Sequence, residues 1–233
     1  MKKVELKTKD QTTMTCYFSE PKTKVQAGVI ILQEAFGVNA HIQELTLKFA
    51  KEGYLAIAPE LYHRTAESGW TCDYNNFKAA ENHFSAINEN GIIEDVGACY
   101  DWIHERYQIQ EIASIGYCMG GRASFIANSS VPLKAAISYY GGRIVPNYLS
   151  LASSQRAPLL FFWGGQDTGI PQEQIRSLTE ALTASKKTYT NIVISDAGHG
   201  FSTDDRASFH PLASQLAWAT SLEFLKINLV TKN

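Results

Sequence analysis

The segment Gly116-Tyr117-Cys118-Met119-Gly120-Gly121 sets a thiol among glycines, directly after the apolar run Ile112–Ile115 and directly before the helix-compatible stretch Arg122–Ala127. G-x-C-x-G-G is the pattern of a nucleophile elbow with cysteine in the serine position. A chain that turns from strand to helix within about one residue holds the nucleophile at the tip in strained backbone geometry. Gly116 and Gly120 lack the Cβ atoms that would collide in such a turn. The thiol would then lie near a helix N-terminus, whose partial positive charge favours thiolate. Taken alone, the segment reads equally well as a buried structural cysteine on a glycine-rich turn.

Two further strand ends carry the partners a thiol nucleophile needs. Gly164-Gly165-Gln166-Asp167 follows the run Leu159–Phe162 and precedes Pro171; Asp196-Ala197-Gly198-His199-Gly200-Phe201 follows Ile192–Ile194. Each has a plain reading, Asp167 as a turn or N-cap residue and His199 as a solvated loop histidine. Together, Cys118, Asp167 and His199 follow three separate apolar strands in the chain order nucleophile, acid, base that α/β-hydrolases use. The expectation is a triad in which Cys118 attacks, His199 handles the proton and Asp167 orients the imidazole. A fourth strand, Val29–Leu32, runs into Gln33-Glu34-Ala35-Phe36-Gly37-Val38-Asn39. Backbone N–H groups of Ala35 and Met119 would form the oxyanion hole. Glu34 is either a polar strand-end residue facing solvent or a group beside the thiol that helps control its proton.

The elements that must position these residues are legible as periodicity. Continuous apolar runs at 29–32, 55–58, 112–115, 135–138, 159–162 and 192–194 suit strands buried on both faces of a parallel sheet. Alternation in Lys3–Lys7 and Thr13–Phe18 predicts a half-exposed antiparallel pair ahead of them. Helical stripes occur at Ile42, Leu45 and Phe49, and at Ile92, Val96, Cys99 and Ile103. Pro171 at a first helical position opens a third helix through Ile175, Leu178 and Leu182, and Leu212, Leu216, Ala219 and Leu222 mark a fourth. Strands alternating with helices imply βαβ units. The expected fold is a three-layer α/β-hydrolase sandwich of one domain over residues 1–233, with a mainly parallel doubly wound sheet. In such sheets ligands bind beyond the carboxyl ends of the strands, where all three candidates lie.

Composition narrows the classes further. With 21 Lys+Arg against 23 Asp+Glu in 233 residues, nothing in the charge favours nucleic acid or an anionic membrane as partner. No apolar run approaches the roughly 20 residues of a membrane span, and Met1–Thr13 has no apolar signal-peptide core. Cys16, Cys72, Cys99 and Cys118 form no C-x-x-C pair, so they read as reduced thiols of a cytoplasmic protein, the first three as packing residues. His41, His63, His83, His104 and His210 show no metal spacing and read as surface or helix polar residues. Trp70, Phe77 and Phe84 either pack in the core or wall the substrate; of Tyr139 and Tyr140, one packs and the other lines the pocket.

The whole set of motifs resembles the dienelactone hydrolase family: Gln33-Glu34 with Phe36-Gly37-Val38-Asn39, Pro59-Glu60-Leu61-Tyr62, Gly116-Tyr117-Cys118-Met119-Gly120-Gly121, Tyr139-Tyr140-Gly141, Gly164-Gly165-Gln166-Asp167 and Gly198-His199-Gly200-Phe201. The resemblance spans nearly the whole chain. It implies a Cys-Asp-His triad acting on a small-molecule ester or lactone, Glu34 engaging the thiol before substrate arrives, and neither metal nor organic cofactor. Phe36, Tyr140 and Arg206 are candidate pocket residues. The sequence departs from the family in its arginines. Members that act on dienelactone hold its carboxylate with two, one of them four residues past the histidine, where this chain has Thr203. Arg206, Arg143, Arg64 and Arg122 are read as solvent-facing, so neutral lactones and small esters are expected to be handled at least as well as dienelactone. Glu34 is expected to keep the resting thiol mostly neutral. The competing class is a non-enzymatic ligand-binding or redox-sensing protein with a reactive Cys118. A flavodoxin-like nucleotide binder lacks the phosphate-cradling glycines. Oligomeric state is left open.

Overall fold

The apolar runs form one eight-stranded sheet, ordered β1-β2-β4-β3-β5-β6-β7-β8, in a computed structural model that describes residues 1–229. β1 (Lys2–Lys7) pairs antiparallel with β2 (Thr13–Ser19), and β2 lies antiparallel to β4 (Leu55–Pro59). Beyond it β4, β3 (Gly28–Leu32), β5 (Ile112–Tyr117), β6 (Ala135–Tyr139), β7 (Leu159–Gly164) and β8 (Tyr189–Ile194) run parallel. Their carboxyl ends therefore share one edge of the sheet, as the α/β-hydrolase reading requires.

Alternation along β3 shows how the two cores are divided. Val29 and Ile31 pack with Ile42, Leu45 and Phe49 of α1 (Ala40–Lys51) and with Ala213, Ala217 and Leu225 of α6 (Pro211–Leu229). Ile30 and Leu32 point the other way, to Val96, Cys99 and Ile103 of α3 (Glu89–Tyr107) and Met119, Ala123 and Ile126 of α4 (Met119–Ala127). A strand covered on both faces has no solvated side, which is why its sequence is continuously apolar. Each such side chain contributes about 1.5–3 kcal/mol through burial. Asn39 caps α1 by accepting a hydrogen bond from the Ile42 N–H, and so pins the far end of the loop that begins at Gln33.

Several expectations change with tertiary context. β2 is almost wholly buried, because it lies inside the sheet and Trp102 of α3 packs edge-on to Phe18 at 5.0 Å. β8 is the reverse: it pairs only with β7, and none of its residues is fully buried. Pro171 sits just before α5 (Gln172–Ala184) rather than in it, with an extended ψ of 146°. α2 (Phe77–Ala86) was not foreseen, since Ala80 is its one fully buried residue and leaves no stripe to read. The stripe expected for α6 faces outward: Leu212 and Leu216 are 73% and 53% exposed. The inward face is instead Ala213, Ala217, Ser221, Leu225 and Leu229, whose small residues let the helix approach the sheet. No described helix is long and apolar enough to cross a membrane.

The reassigned face of α6 is directly testable. Leu225→Ala should cost about 2–5 kcal/mol in denaturant unfolding, whereas Leu216→Glu should stay within about 0.5 kcal/mol. Equal losses in the two variants would restore the outward stripe as the packing face.

Candidate active site

The elbow is built by close backbone approach. A Cβ on Gly116 would fall 1.9 Å from the Gly120 carbonyl oxygen, and one on Gly120 would fall 2.1 Å from that of Leu32. With both absent, β5 passes straight into α4, and Cys118 between them adopts φ 53°, ψ −112°. That is a costly conformation for a residue with a side chain, and it persists only where the surroundings impose it. The Cys118 N–H is tied to the Tyr139 carbonyl on β6 at 3.0 Å, while its carbonyl accepts from Gly121 and Arg122 N–H. The thiol is left half-buried at the sheet edge.

Asp167 follows β7 and His199 follows β8, and the structure brings them into direct contact. His199 Nδ1 donates to Asp167 Oδ2 at 2.6 Å, and Asp167 Oδ1 accepts the Gly169 N–H at 2.9 Å. With Nδ1 committed, the remaining ring nitrogen is the one available to a reacting group. Tyr140 supports the ring from behind at 5.1 Å between centroids. Burial works against a charge on His199, but the hydrogen bond to Asp167 and the nearby Cys118 sulfur outweigh that, and its pKa is pushed up to about 10. The exposed edge of His199 borders an open cleft of about 600 Å³, shared with Tyr74, Asp205 and Arg206.

The loop after β3 lies alongside. Gln33 braces it, accepting the Leu61 N–H at 3.0 Å. Ala35 and Met119 are both buried, and among the described residues neither amide N–H has a backbone acceptor. Met119 is the first residue of α4, so its N–H points out of the helix end with no turn before it to bond. The Tyr62 hydroxyl donates to the Ala35 carbonyl at 3.0 Å and touches Met119 Sδ at 3.4 Å, joining the two segments. Sequence spacing did not single out Tyr62 for this role; it follows from β4 lying next to β3.

Glu34 is completely buried, which rules out its solvent-facing reading. Arg206 Nη1 donates to its Oε1 at 2.9 Å, and Thr203 Oγ1 to its Oε2 at 3.4 Å. Arg206 is therefore a counter-ion and not a free pocket cation, and it also covers Phe36 and Tyr74, at 5.7 Å from each ring. Phe36 and Tyr140 are buried as well, 4% and 0% exposed, so they shape the site from beneath. Tyr139 packs inward, with its hydroxyl on Ser221 at 2.8 Å.

Other expectations need correction. His41 and His63 are buried acid partners, of Asp204 at 3.2 Å and Asp95 at 3.1 Å. Arg64 joins Asp10, Glu94 and Asp95. Arg122 is buried, not solvent-facing. Trp70 packs against Tyr62 and His83, and Phe77 is 41% exposed beside Phe84. Cys16 and Cys99 pack Sγ to Sγ at 3.9 Å. Among the described residues no cluster of His, Cys, Asp and Glu could hold a metal.

Sheet order, elbow and strand-end residues define the α/β-hydrolase class. Within it, residues 14–229 match the model of the dienelactone hydrolase family. A Yersinia pestis protein provisionally named a carboxymethylenebutenolidase is 35% identical over 206 residues, 84% of this chain and 76% of that one. A Salmonella typhimurium protein of the same provisional name is 33% identical over 226 residues, covering 91% and 82%. The crystal structure of a Klebsiella pneumoniae protein provisionally described as a dienelactone hydrolase superposes with a TM-score of 0.87 at 29% identity, over 97% of both chains. The chain belongs to the dienelactone hydrolase family and is a carboxylic ester hydrolase.

Two outcomes follow from the charges. The His199 value lies above the 6.5 of an unperturbed imidazole, so the stability it contributes is complete below that value and drains away as pH rises through about 10. The difference in unfolding free energy between wild type and His199→Asn should narrow between about pH 6 and about pH 10; a difference that stays constant contradicts the assignment. Arg206→Ala leaves Glu34 buried without its counter-ion and should cost about 3–5 kcal/mol. Adding Glu34→Gln should recover most of that loss in thermal unfolding.

Proposed function

We propose that the protein hydrolyses small esters or lactones by acyl transfer through Cys118, with His199 and Asp167 completing the triad. The observation that carries this reading is the 2.6 Å bond from His199 to Asp167, at the strand ends that share one sheet edge with Cys118. Asp167 fixes the ring's tautomer and orientation and stabilises the imidazolium. As Cys118 passes its proton to His199, the sulfur attacks the substrate carbonyl carbon, and charge develops on the carbonyl oxygen. The N–H groups of Ala35 and Met119 receive that charge without having to reorganise. Collapse breaks the acyl C–O bond, and His199 gives its proton to the departing alkoxide. A water molecule then attacks the thioester, His199 takes its proton, and the acid leaves with the thiol restored. In a lactone the alkoxide stays tethered, so the product is a hydroxy or oxo acid.

Glu34 enters as a regulator of the thiol. Its ion pair with Arg206 at 2.9 Å fixes where that carboxylate lies in the loop after β3. The names of relatives agree with this substrate class. A Bradyrhizobium protein, 23% identical over 217 residues, is provisionally named a lactonase for an oxofuranylidene propanoate.

Turnover of a panel of nitrophenyl esters and five-membered lactones tests the proposal. Cys118→Ala should remove turnover, Cys118→Ser should lose most of it, and His199→Ala should lower kcat roughly 10²–10⁴-fold, each with unchanged circular dichroism. Full activity in Cys118→Ala sinks the mechanism. Iodoacetamide should alkylate Cys118 faster in Glu34→Gln than in wild type; equal rates remove Glu34 from control of the thiol.

A further inference from the structure

Tyr117, Tyr139 and Tyr140 pack together behind the strand ends, each at most 1% exposed, with the Tyr117 ring 4.7 Å from Tyr139 and 6.4 Å from Tyr140. The Tyr139 hydroxyl bonds Ser221 at 2.8 Å, and that of Tyr140 meets Thr203 at 3.4 Å. The Tyr117 hydroxyl is different: it is not sealed by protein, and among the described residues it bonds nothing. Burial first, then Tyr139, Tyr140 and Glu34, hold its pKa well above the usual range, so it stays neutral. His41 of α1 stands edge-on to this ring at 6.3 Å. Its side chain is 3% exposed, with Nδ1 on Asp204 at 3.2 Å, while Nε2 is covered and has no partner among the described residues. Native interiors leave few polar groups unsatisfied, and here two occur on neighbouring rings.

Both residues line a cavity of about 300 Å³ between α1 and the start of α6, where Leu45, Tyr139, Phe209 and Trp218 supply apolar wall. An apolar cavity of roughly 150 Å³ already holds benzene, so a substituted ring fits. The cavity shares no lining residue with the cleft at His199. Lys48, the one cation lining it among the described residues, is paired with Glu44 at 3.4 Å. Asp204 lies on the same lining. An entering carboxylate would thus meet a like charge and find no unpaired cation, which selects for a neutral molecule.

We propose that this cavity is a second binding site, separate from the catalytic one, for a neutral single-ring phenol. The ring occupies the apolar space between Trp218 and the tyrosines. Its hydroxyl accepts from the Tyr117 O–H. With the Nδ1–H given to Asp204, neutral His41 presents Nε2 as an acceptor, and a modest turn of the imidazole on that bond brings Nε2 to the phenol's proton. A carboxylate has no proton to donate and an ammonium no lone pair to accept with. A hydroxyl does both through one atom, and the aromatic walls select a ring to carry it.

Calorimetric titration with phenol, toluene and benzoate tests the site, since toluene has the shape of phenol without its hydroxyl. Phenol should bind one-to-one and about fivefold or more tightly than toluene, with benzoate weaker than phenol. In Tyr117→Phe, phenol should bind about fivefold or more weakly, with toluene unchanged. Ser214→Phe, which fills the cavity from α6, should remove phenol binding. Because a phenol is also the leaving group of an aryl ester, the titration is repeated after iodoacetamide has alkylated Cys118. The phenol affinity should then stay within about twofold. Absence of saturable phenol binding overturns the proposal, as does a toluene affinity equal to that of phenol. A phenol affinity unchanged in Tyr117→Phe overturns it too, and loss of binding on alkylation places the phenol in the catalytic cleft instead. If Tyr117→Phe does not fold, Ser214→Phe decides: undiminished phenol binding there overturns the site.

Discussion

The approach of β5, α4 and the end of β3 to within backbone contact is the constraint on which this molecule's chemistry depends. Two glycines allow it: side chains at Gly116 or Gly120 would overlap the carbonyls of Gly120 and Leu32. Because those backbones meet, Cys118 is forced to φ 53° at the tip of the turn. The same contact sets the Met119 amide beside the loop that carries Ala35, and the Tyr62 hydroxyl bridges the two segments. Backbone strain is thus held at Cys118, at the tip of the turn, and the strongly packed strands around it offset the stability that the turn costs.

A second theme is the handling of buried charge. Glu34 is fully buried and carries a dedicated arginine, Arg206, from the loop beyond His199. Removing water from both partners is costly, so such a pair contributes less to stability than its geometry suggests. Its effect is positional: it ties the loop after β8 to the loop after β3. Asp167 and His199 do the same between β7 and β8. β8 is an edge strand with a partner on one side only, and these two bonds past its carboxyl end fasten the following loop to its neighbours.

Arg206 and Arg122 are compensated in different ways. Both guanidiniums are shielded and both lie against aromatic rings. Arg206 has its carboxylate inside the protein, whereas Arg122 has aromatic faces alone and a neighbouring Arg143.

The chain by itself determined the fold class, the strand-end placement of Cys118, Asp167 and His199, and the part played by the elbow glycines. These features are local. Continuous apolar runs report burial on both faces, and a glycine flanking the nucleophile reports a missing Cβ, whatever the remainder of the chain does. Tertiary structure decided everything that depends on which element lies next to which. The outward face of α6 is apolar like its inward face, so periodicity alone could not choose Ala213 and Ala217 over Leu212 and Leu216. β8 reads as a buried run, yet it is exposed because no strand lies beyond it. Arginines show the limit most clearly. Arg64, Arg122, Arg143 and Arg206 are the same residue type in sequence, and charge alone suggests solvent for each. What separates them is the presence or absence of a carboxylate within about 3–4 Å, contributed by residues distant in the chain.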